Sequence, residues 1–314
     1  MGFLRFLEGI RLPFFDVLFS LITRMGEETL FIVIGIICFW CISKKHGYYI
    51  LSVGFIGTVL NQFLKLAFRI PRPEKLSEGF TIVESAREAA QGYSFPSGHT
   101  QTAFGLFGCI AVSVRRHLAT ALCTVLAVLV GFSRMYLGVH TPLDVGVSVV
   151  VALALVFGIH PLLFRAIQSR RGMILFFSSM LTLSVAYLLY VLLFPFPANI
   201  DPYNYTSGLK AAYKILGCVL GIFSAYLIED RYIRFDTRAS LPIQALKFVL
   251  GLIPVLGIKE GLRAPLVLLF GEAIGGGVRY LLIAFFAAAV WPLTFKLFAR
   301  LDRRLAERKK KGKC

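Results

Sequence analysis

The chain has 314 residues, of which 57% are hydrophobic, and its formal net charge at pH 7 is +17. So large a share of apolar side chains excludes an ordinary soluble domain, because a soluble domain needs a largely polar exterior. The basic residues stand in short clusters between apolar runs of about 20 residues, which is typical of membrane spans and their topology signals. We therefore expect a protein of the lipid bilayer and no nucleic-acid partner.

The first 28 residues are predicted to form an amphipathic interfacial helix, because apolar and charged positions alternate over residues 3–24. Membrane-spanning helices follow, since lipid tolerates little besides helices and closed barrels. Their predicted limits are 29–43, 48–67, 99–114, 118–136, 142–163, 173–194, 209–228, 241–257 and 280–299. Segment 258–279, which contains GEAIGGG, is predicted to be a loop or a re-entrant turn. The fold class is an all-α, polytopic membrane helical bundle.

Four regions follow from this pattern. They are an interfacial helix at 1–28, a five-span core at 29–165, four further spans within 166–300 and a basic tail at 301–314 lying against headgroups. Basic clusters follow the first, third, fifth and seventh spans, so that side is predicted to be cytoplasmic. The N-terminus, the loop 68–98 and an aromatic loop at 195–208 then face outward, and the C-terminus faces inward.

Three polar clusters interrupt the apolar pattern on the predicted outer side. They are Lys65, Arg72 and Pro73 in KLAFRIPRP, Pro96 to His99 in PSGH, and Ser133, Arg134, His140 and Asp144 in SRMYLGVHTPLD. A single Lys, Arg or His near a helix end is usually an interfacial anchor, and a single Asp there usually stabilises the helix start. That interpretation gives no reason for all of them to meet on one face.

Together these residue types indicate an oxyanion site. Lys65, Arg72 and Arg134 would repel one another unless an anion lay between them, and arginine matches phosphate geometry. Backbone N–H groups at Ser97 and Gly98, just before a helix, can also point at an anion.

Two histidines complete the predicted chemistry. His140 and Asp144 are four residues apart on one helical face, so the carboxylate can keep one imidazole nitrogen protonated and leave the other free to attack. His99 would be a second, charged imidazole that gives a proton to the leaving oxygen.

These residues give the sequence a resemblance to the type 2 phosphatidic acid phosphatase family, whose pattern is K-x6-RP, PSGH and SR-x5-H-x3-D. The resemblance implies a phosphohistidine at His140, partnered by Asp144, with His99 as general acid and then base. It further implies that the phosphate is bound by Lys65, Arg72, Ser97, Gly98 and Arg134. It leaves the roles of Pro73, Pro96 and Ser133 uncertain, and it implies no metal and no cofactor.

The expected function is hydrolysis of a lipid phosphate or diphosphate at the outer face of a bacterial plasma membrane. SRMYLGVHTPLDV looks like the motif of sphingosine-phosphate phosphatases and bacterial polyprenyl-diphosphate phosphatases, and phosphatidate is a further candidate. Two alternatives stay open: a phosphotransferase that uses the same site, and a transporter of anionic lipids, which broken helices would favour. The oligomeric state is not predicted.

Overall fold

The computed structural model describes residues 1–87 and 90–311, with side chains as far as residue 307. All regular elements in this part of the chain are helical, which confirms the all-α prediction. The α-helices are α1 (Gly2–Gly9), α2 (Pro13–Thr23), α3 (Glu28–Ile37), α4 (Lys44–Phe68), α5 (Pro73–Leu76), α6 (Gly98–Val114), α7 (His117–Tyr136), α8 (Pro142–Ala166), α9 (Arg170–Leu193), α10 (Pro202–Ile228), α11 (Leu241–Gly261), α12 (Arg263–Phe285) and α13 (Phe295–Lys311).

Seven helical segments among the described residues are long and apolar enough to cross a membrane. A bent pair, Pro13–Gly26 with Glu28–Ile42, makes an eighth if it counts as one span. The polytopic membrane bundle is therefore confirmed. The predicted third span is helix α6, whose 17 residues lie at the lower limit for crossing hydrocarbon.

The N-terminal region contains two helices and not the one that was predicted. The chain breaks at Leu12, whose backbone is extended, and α2 begins at Pro13. A residue before proline disfavours the helical region, and proline suits the first turn of a helix. The bent pair also joins α2 to the start of the first predicted span.

Part of the predicted outer loop 195–208 is helical, because α10 already begins at Pro202. The Asp201 carboxylate accepts hydrogen bonds from the backbone N–H groups of Tyr203 (2.9 Å) and Asn204 (3.2 Å). This is an N-terminal cap followed by proline in the first helical position. The pair Asp201-Pro202 was therefore a helix signal that the predicted loop overlooked.

Segment 258–279 is helical on both sides of a break. Gly271 has φ of +76° and ψ of 172° inside α12, a conformation that favours glycine. A Cβ added to Gly275 would lie 2.5 Å from the carbonyl oxygen of Leu266, so the chain folds back on itself across the break. The alternative of a re-entrant turn describes this segment better than a loop does.

The predicted basic tail 301–314 begins inside α13, and residues 312–314 lie outside the described residues. The chain forms two compact units. Unit 1 comprises Met1–Ile34, Tyr49–Leu163 and Leu193–Gly208, and unit 2 comprises Gly35–Tyr48, Phe164–Leu192 and Leu209–Cys314. The predicted boundary after residue 165 is close to the limit between Leu163 and Phe164. However, unit 1 also contains Leu193–Gly208, and unit 2 also contains Gly35–Tyr48.

Unit 1 is built around helices α6 and α7, which pack through small and apolar side chains such as Ala103, Ala127 and Val130. Helix α2 covers α7, where the Phe19 ring lies 4.6 Å from that of Tyr136. Leu4 and Leu7 of α1 are buried in a cluster that also contains Phe80 and Ile82. These contacts fix the N-terminal end of α6 and the C-terminal end of α7, where the polar motifs lie.

Unit 2 packs its helices closely through glycine. Gly217 of α10 lies against the backbone of Gly277 in α12, where any side chain would clash. Trp40 donates a hydrogen bond from Nε1 to the carbonyl oxygen of Ala287 over 2.7 Å. Small residues at helix interfaces let backbones approach in lipid, where apolar contact with a neighbouring helix is no better than contact with lipid tails.

Candidate active site

All the residues predicted to carry chemistry lie in unit 1. Lys65 is in the last turn of α4, and Arg72 immediately precedes α5, whose first residue is Pro73. The Lys65 ammonium donates to the carbonyl oxygen of Tyr93 over 2.9 Å. Arg72 is 4% exposed and donates to the carbonyl oxygens of Gly92, Val139 and Gln91 over 3.1, 3.0 and 2.9 Å. Neutral carbonyls orient these two cations without neutralising them.

Arg134 lies near the end of α7 and is 1% exposed. One terminal nitrogen donates to the Thr23 hydroxyl over 2.8 Å, while its Nε is buried and donates to no described group. A buried donor without an acceptor is unfavourable, because it has lost its hydrogen bonds to water. Arg134 can therefore bind an anion through this free donor.

The N-terminus of α6 lies beside these cations. Ser97 caps the helix, and its hydroxyl oxygen accepts from the hydroxyl of Thr100 over 2.9 Å. The backbone N–H of Ser97 donates to the carbonyl oxygen of Asp144 over 3.3 Å, contrary to the expectation that it points at an anion. The N–H groups of Gly98 and His99 donate to no described group and remain suitable for one. Phosphate binding by Ser97 stays a prediction.

The turn between α7 and α8 explains the spacing between Arg134 and His140. The carbonyl oxygen of Arg134 accepts from the N–H groups of Val139 (3.2 Å) and His140 (3.3 Å). Gly138 has φ of +80° in this turn, and a Cβ there would lie 3.0 Å from the carbonyl oxygen of Thr81. Glycine allows this conformation and close approach, so the turn brings His140 back beside Arg134.

His140 and Asp144 approach each other as predicted, but the contact is long. Nδ1 of His140 lies 3.5 Å from Oδ2 of Asp144, which is beyond ordinary hydrogen-bond length. Oδ2 instead accepts from the Ser94 hydroxyl over 2.5 Å and from the Thr141 N–H over 2.7 Å. The Ser94 oxygen also lies 3.3 Å from Nδ1 of His140. Ser94 therefore links the two, with the proton on Nδ1 and Nε2 left unprotonated.

The environment of His140 favours the neutral imidazole. Burial lowers the pKa of His140 well below its usual range, the nearby Asp144 carboxylate opposes this, and Arg72, Arg134 and Lys65 lower it further. The same three interactions show that all three cations lie within electrostatic range of one imidazole. A neutral ring has the free lone pair that a nucleophile needs.

The motif residues of uncertain role have structural contacts. The Ser133 hydroxyl is buried and donates to the carbonyl oxygen of Val130 within its own helix, over 2.6 Å. Pro73 begins α5, and Pro96 follows Phe95 through a cis peptide bond. The roles of the three residues stay uncertain.

The sequence did not reveal three neutral polar residues that support the site. Ser94 lies two residues before Pro96, and Thr23 comes from α2. Asn204 comes from the start of α10, where it is 6% exposed and accepts from the N–H of Tyr93 over 2.9 Å. The segment 91–93 that Asn204 braces supplies the carbonyls that bind Arg72 and Lys65.

Comparison with known proteins agrees with this geometry. Residues 45–168 match the PAP2 superfamily, and residues 213–307 match the transmembrane extension of PAP2 superfamily phosphatases. Phosphatidylglycerophosphatase B of Bacillus subtilis is 31% identical over 149 residues, which cover 43% of this chain and 69% of that protein. The chain belongs to the PAP2 superfamily.

Other PAP2 relatives match shorter stretches. A probable sphingosine-1-phosphate phosphatase of Dictyostelium discoideum is 31% identical over 47% of this chain, which spans 38% of that relative. Undecaprenyl-diphosphatase BcrC of Bacillus subtilis is 35% identical over 37% of this chain, which spans 56% of that relative. The chain thus covers less than two thirds of these two proteins.

Among solved structures, the crystal structure of Aquifex aeolicus LpxE is similar to this chain, with 25% sequence identity and a TM-score of 0.40. The match covers 50% of this chain and 91% of the LpxE chain.

Proposed function

We propose that this PAP2 protein is a membrane phosphatase that hydrolyses the phosphomonoester or diphosphate of a lipid through a phosphohistidine at His140. The observation that carries the proposal is the group of Lys65, Arg72 and Arg134 within electrostatic range of His140. In the part of the chain the structure describes, none of these cations forms an ion pair with a carboxylate. Such a group is costly until an anion enters, and phosphate matches its charge and its hydrogen-bond donors.

The first chemical step is attack by Nε2 of His140 on phosphorus. The N–P bond forms while the bond from phosphorus to the lipid oxygen breaks, and the bonding electron pair leaves with that oxygen. His99 donates a proton to this oxygen, which releases the lipid alcohol from a phosphomonoester or the lipid monophosphate from a diphosphate. Ser94 and Asp144 keep the proton on Nδ1, and the three cations stabilise the charge that develops on the equatorial oxygens.

The second step returns the enzyme to its starting state. His99, now neutral, takes a proton from a water molecule whose oxygen attacks phosphorus. The N–P bond breaks, its electron pair returns to Nε2 of His140, and inorganic phosphate is released. His99 therefore acts as an acid in the first step and as a base in the second.

The substrate class rests on relatives and on the membrane. The three PAP2 relatives are named for sphingosine-1-phosphate, undecaprenyl diphosphate and phosphatidylglycerophosphate, which are all phosphorylated lipids. A chain that spans the membrane can present the site to a headgroup while the apolar part of the lipid stays in the bilayer. The distribution of basic residues supports a site at the outer face of the membrane and a C-terminus in the cytoplasm.

The test is release of phosphate from a panel of lipid phosphates and diphosphates in detergent with EDTA. Wild type should release phosphate, and His140→Ala should not. Release that stops with EDTA would refute the prediction of metal-free chemistry, and equal release by His140→Ala would refute the nucleophile. Transfer of labelled phosphate to an added alcohol, without free phosphate, would favour a phosphotransferase.

A further inference from the structure

A cavity of about 380 Å³ opens beside the phosphate site in unit 1. It lies between the start of α3 and helices α4, α6 and α8, and its lining includes Gly98 and His99. Gly26 forms part of its mouth, and a Cβ there would lie 2.6 Å from the carbonyl oxygen of His99. Whatever enters this cavity is therefore next to the group that would protonate the leaving lipid oxygen.

The buried amides of Asn61 and Gln101 have a fixed orientation in the cavity wall. Gln101 donates from Nε2 to the carbonyl oxygen of Gly57 over 2.6 Å, and a carbonyl can only accept. The Oε1 of Gln101 must then face Asn61, and it accepts from Nδ2 of Asn61 over 3.0 Å. Because both donors are assigned in this way, the Oδ1 of Asn61 must point away from Gln101.

The Oδ1 of Asn61 is a hydrogen-bond acceptor without a donor in the described part of the chain. Asn61 is 6% exposed and lines the cavity, and its Oδ1 lies 3.7 Å from the position of a Cβ on Gly98. Among the described residues, no group donates a hydrogen bond to this oxygen. An amide oxygen repels the oxygens of a phosphate, so this atom is not part of the phosphate site. It is suited to an N–H or O–H donor of a ligand.

Two acidic residues in the lining of the cavity add to this preference for a hydrogen-bond donor. Glu27 and Glu28 are among the lining residues, and their charge is opposite to that of the three cations of the phosphate site. The two neighbouring surfaces are therefore complementary to a lipid that is anionic at its phosphate and carries a donor a few bonds away. A prenyl chain has no such donor.

We infer that the cavity binds the part of the lipid alcohol next to the phosphate and selects lipids with a hydroxyl or ammonium donor there, through Asn61. This inference rests on the proposed function and narrows its substrate class. A long-chain-base phosphate, with an amine and a hydroxyl, fits it, and so does a glycerol phosphate lipid with a free hydroxyl. A polyprenyl diphosphate does not.

The experiment compares kcat/KM for a long-chain-base phosphate and for a plain alkyl phosphate of equal chain length. Wild type should prefer the former by about tenfold, the worth of one good hydrogen bond. Asn61→Leu should bring the ratio close to one by raising KM for the long-chain-base phosphate. A lysophosphatidate with a free hydroxyl, as a third probe, separates hydroxyl from ammonium recognition.

Two further variants keep the test decisive. Gln244→Leu, in unit 2, removes another side-chain amide that donates to backbone carbonyls, at Cys41 and Thr237, and should leave the ratio unchanged. Asn61→Leu combined with Gln101→Leu removes both partners, which avoids an unpaired amide if the single variant folds poorly. A wild-type ratio near one, or an equal loss for both lipids in Asn61→Leu, would overturn the inference.

Failure of the proposed function can be told apart from failure of the inference. If no lipid phosphate or diphosphate of the panel releases phosphate, the phosphatase proposal fails. Protection of the protein against thermal unfolding by the same two lipids then still measures whether the cavity selects a donor. Stronger protection by the long-chain-base phosphate, lost in Asn61→Leu, supports the inference, and equal protection overturns it.

Discussion

The three cations around His140 in unit 1 have different partners from Lys44 and Lys210 in unit 2. In unit 1, Lys65, Arg72 and Arg134 donate to backbone carbonyls and one hydroxyl. In unit 2, Lys44 forms an ion pair of 2.7 Å with the buried carboxylate of Glu229, and Lys210 pairs with Glu272. A cation in an ion pair is already neutralised, whereas a group of cations that form no ion pair is suited to an incoming anion.

A buried cation of unit 2 shows that a single cation, unlike a group of three, does not indicate a ligand. Lys247 is 1% exposed and donates to the carbonyl oxygen of Thr237 over 3.2 Å, with its ammonium 4.4 Å from the centre of the Phe295 ring. A single ammonium can be satisfied by a carbonyl and an aromatic face. Three cations around His140 cannot be satisfied in this way without strong mutual repulsion, so their grouping indicates a ligand.

Arg134→Met should give the largest effect. It removes one donor to the developing phosphate charge, so kcat/KM should fall by roughly 10²–10³-fold. The same change removes a buried charge without a counterion, so the melting temperature in detergent should stay the same or rise. Phosphate release and thermal unfolding of the same preparation measure both quantities.

Lys44→Met is the matched change in unit 2. It leaves Glu229 without its partner, so the melting temperature should fall while kcat/KM stays near that of wild type. If Arg134→Met destabilised the protein as much as Lys44→Met does, the proposed contrast between the units would be wrong.

Ser94→Ala should have the next largest effect. Without this hydroxyl, the 3.5 Å gap between His140 and Asp144 has no bridge, and the imidazole loses its fixed orientation. We expect kcat to fall by about tenfold, the cost of one buried hydrogen bond, with little change in KM. Ser184→Ala is the control, because that buried hydroxyl donates only to Met180 in its own helix. An unchanged kcat in Ser94→Ala would remove Ser94 from the mechanism.

Asn204→Ala should have the smallest effect. It releases the N–H of Tyr93 and loosens segment 91–93, whose carbonyls orient Arg72 and Lys65. KM should rise by a few fold, as expected for the loss of one hydrogen bond that acts through other residues, and kcat should change less. A fall in kcat with constant KM would show that Asn204 acts on the chemical step instead.

The sequence predicted the helices and the charged part of the site for a physical reason. Apolar runs of span length are visible in a sequence without a structure. Clusters of ionisable side chains that interrupt such runs are visible in the same way. Lys65, Arg72, Arg134, His140 and Asp144 were found in this way, and the structure brings them together. Their catalytic and phosphate-binding roles stay predictions.

The neutral supports of the site could not be predicted because each acts over a long separation in sequence. Ser94 meets Asp144 across 50 residues, and Asn204 meets Tyr93 across 111. Serine and asparagine are common enough that only their burial and partners reveal a role. The orientation of the Asn61 amide likewise depends on Gln101 and Gly57, which only the packed helices bring together.

The most direct test of the mechanism is a search for phosphate bound covalently to His140. Wild type, mixed with a lipid carrying labelled phosphate and quenched within one turnover, should carry an acid-labile, base-stable label on the peptide that contains His140. His140→Ala should carry no label and release no phosphate. Phosphate release by wild type without any label on His140, or undiminished release by His140→Ala, would contradict the proposed nucleophile.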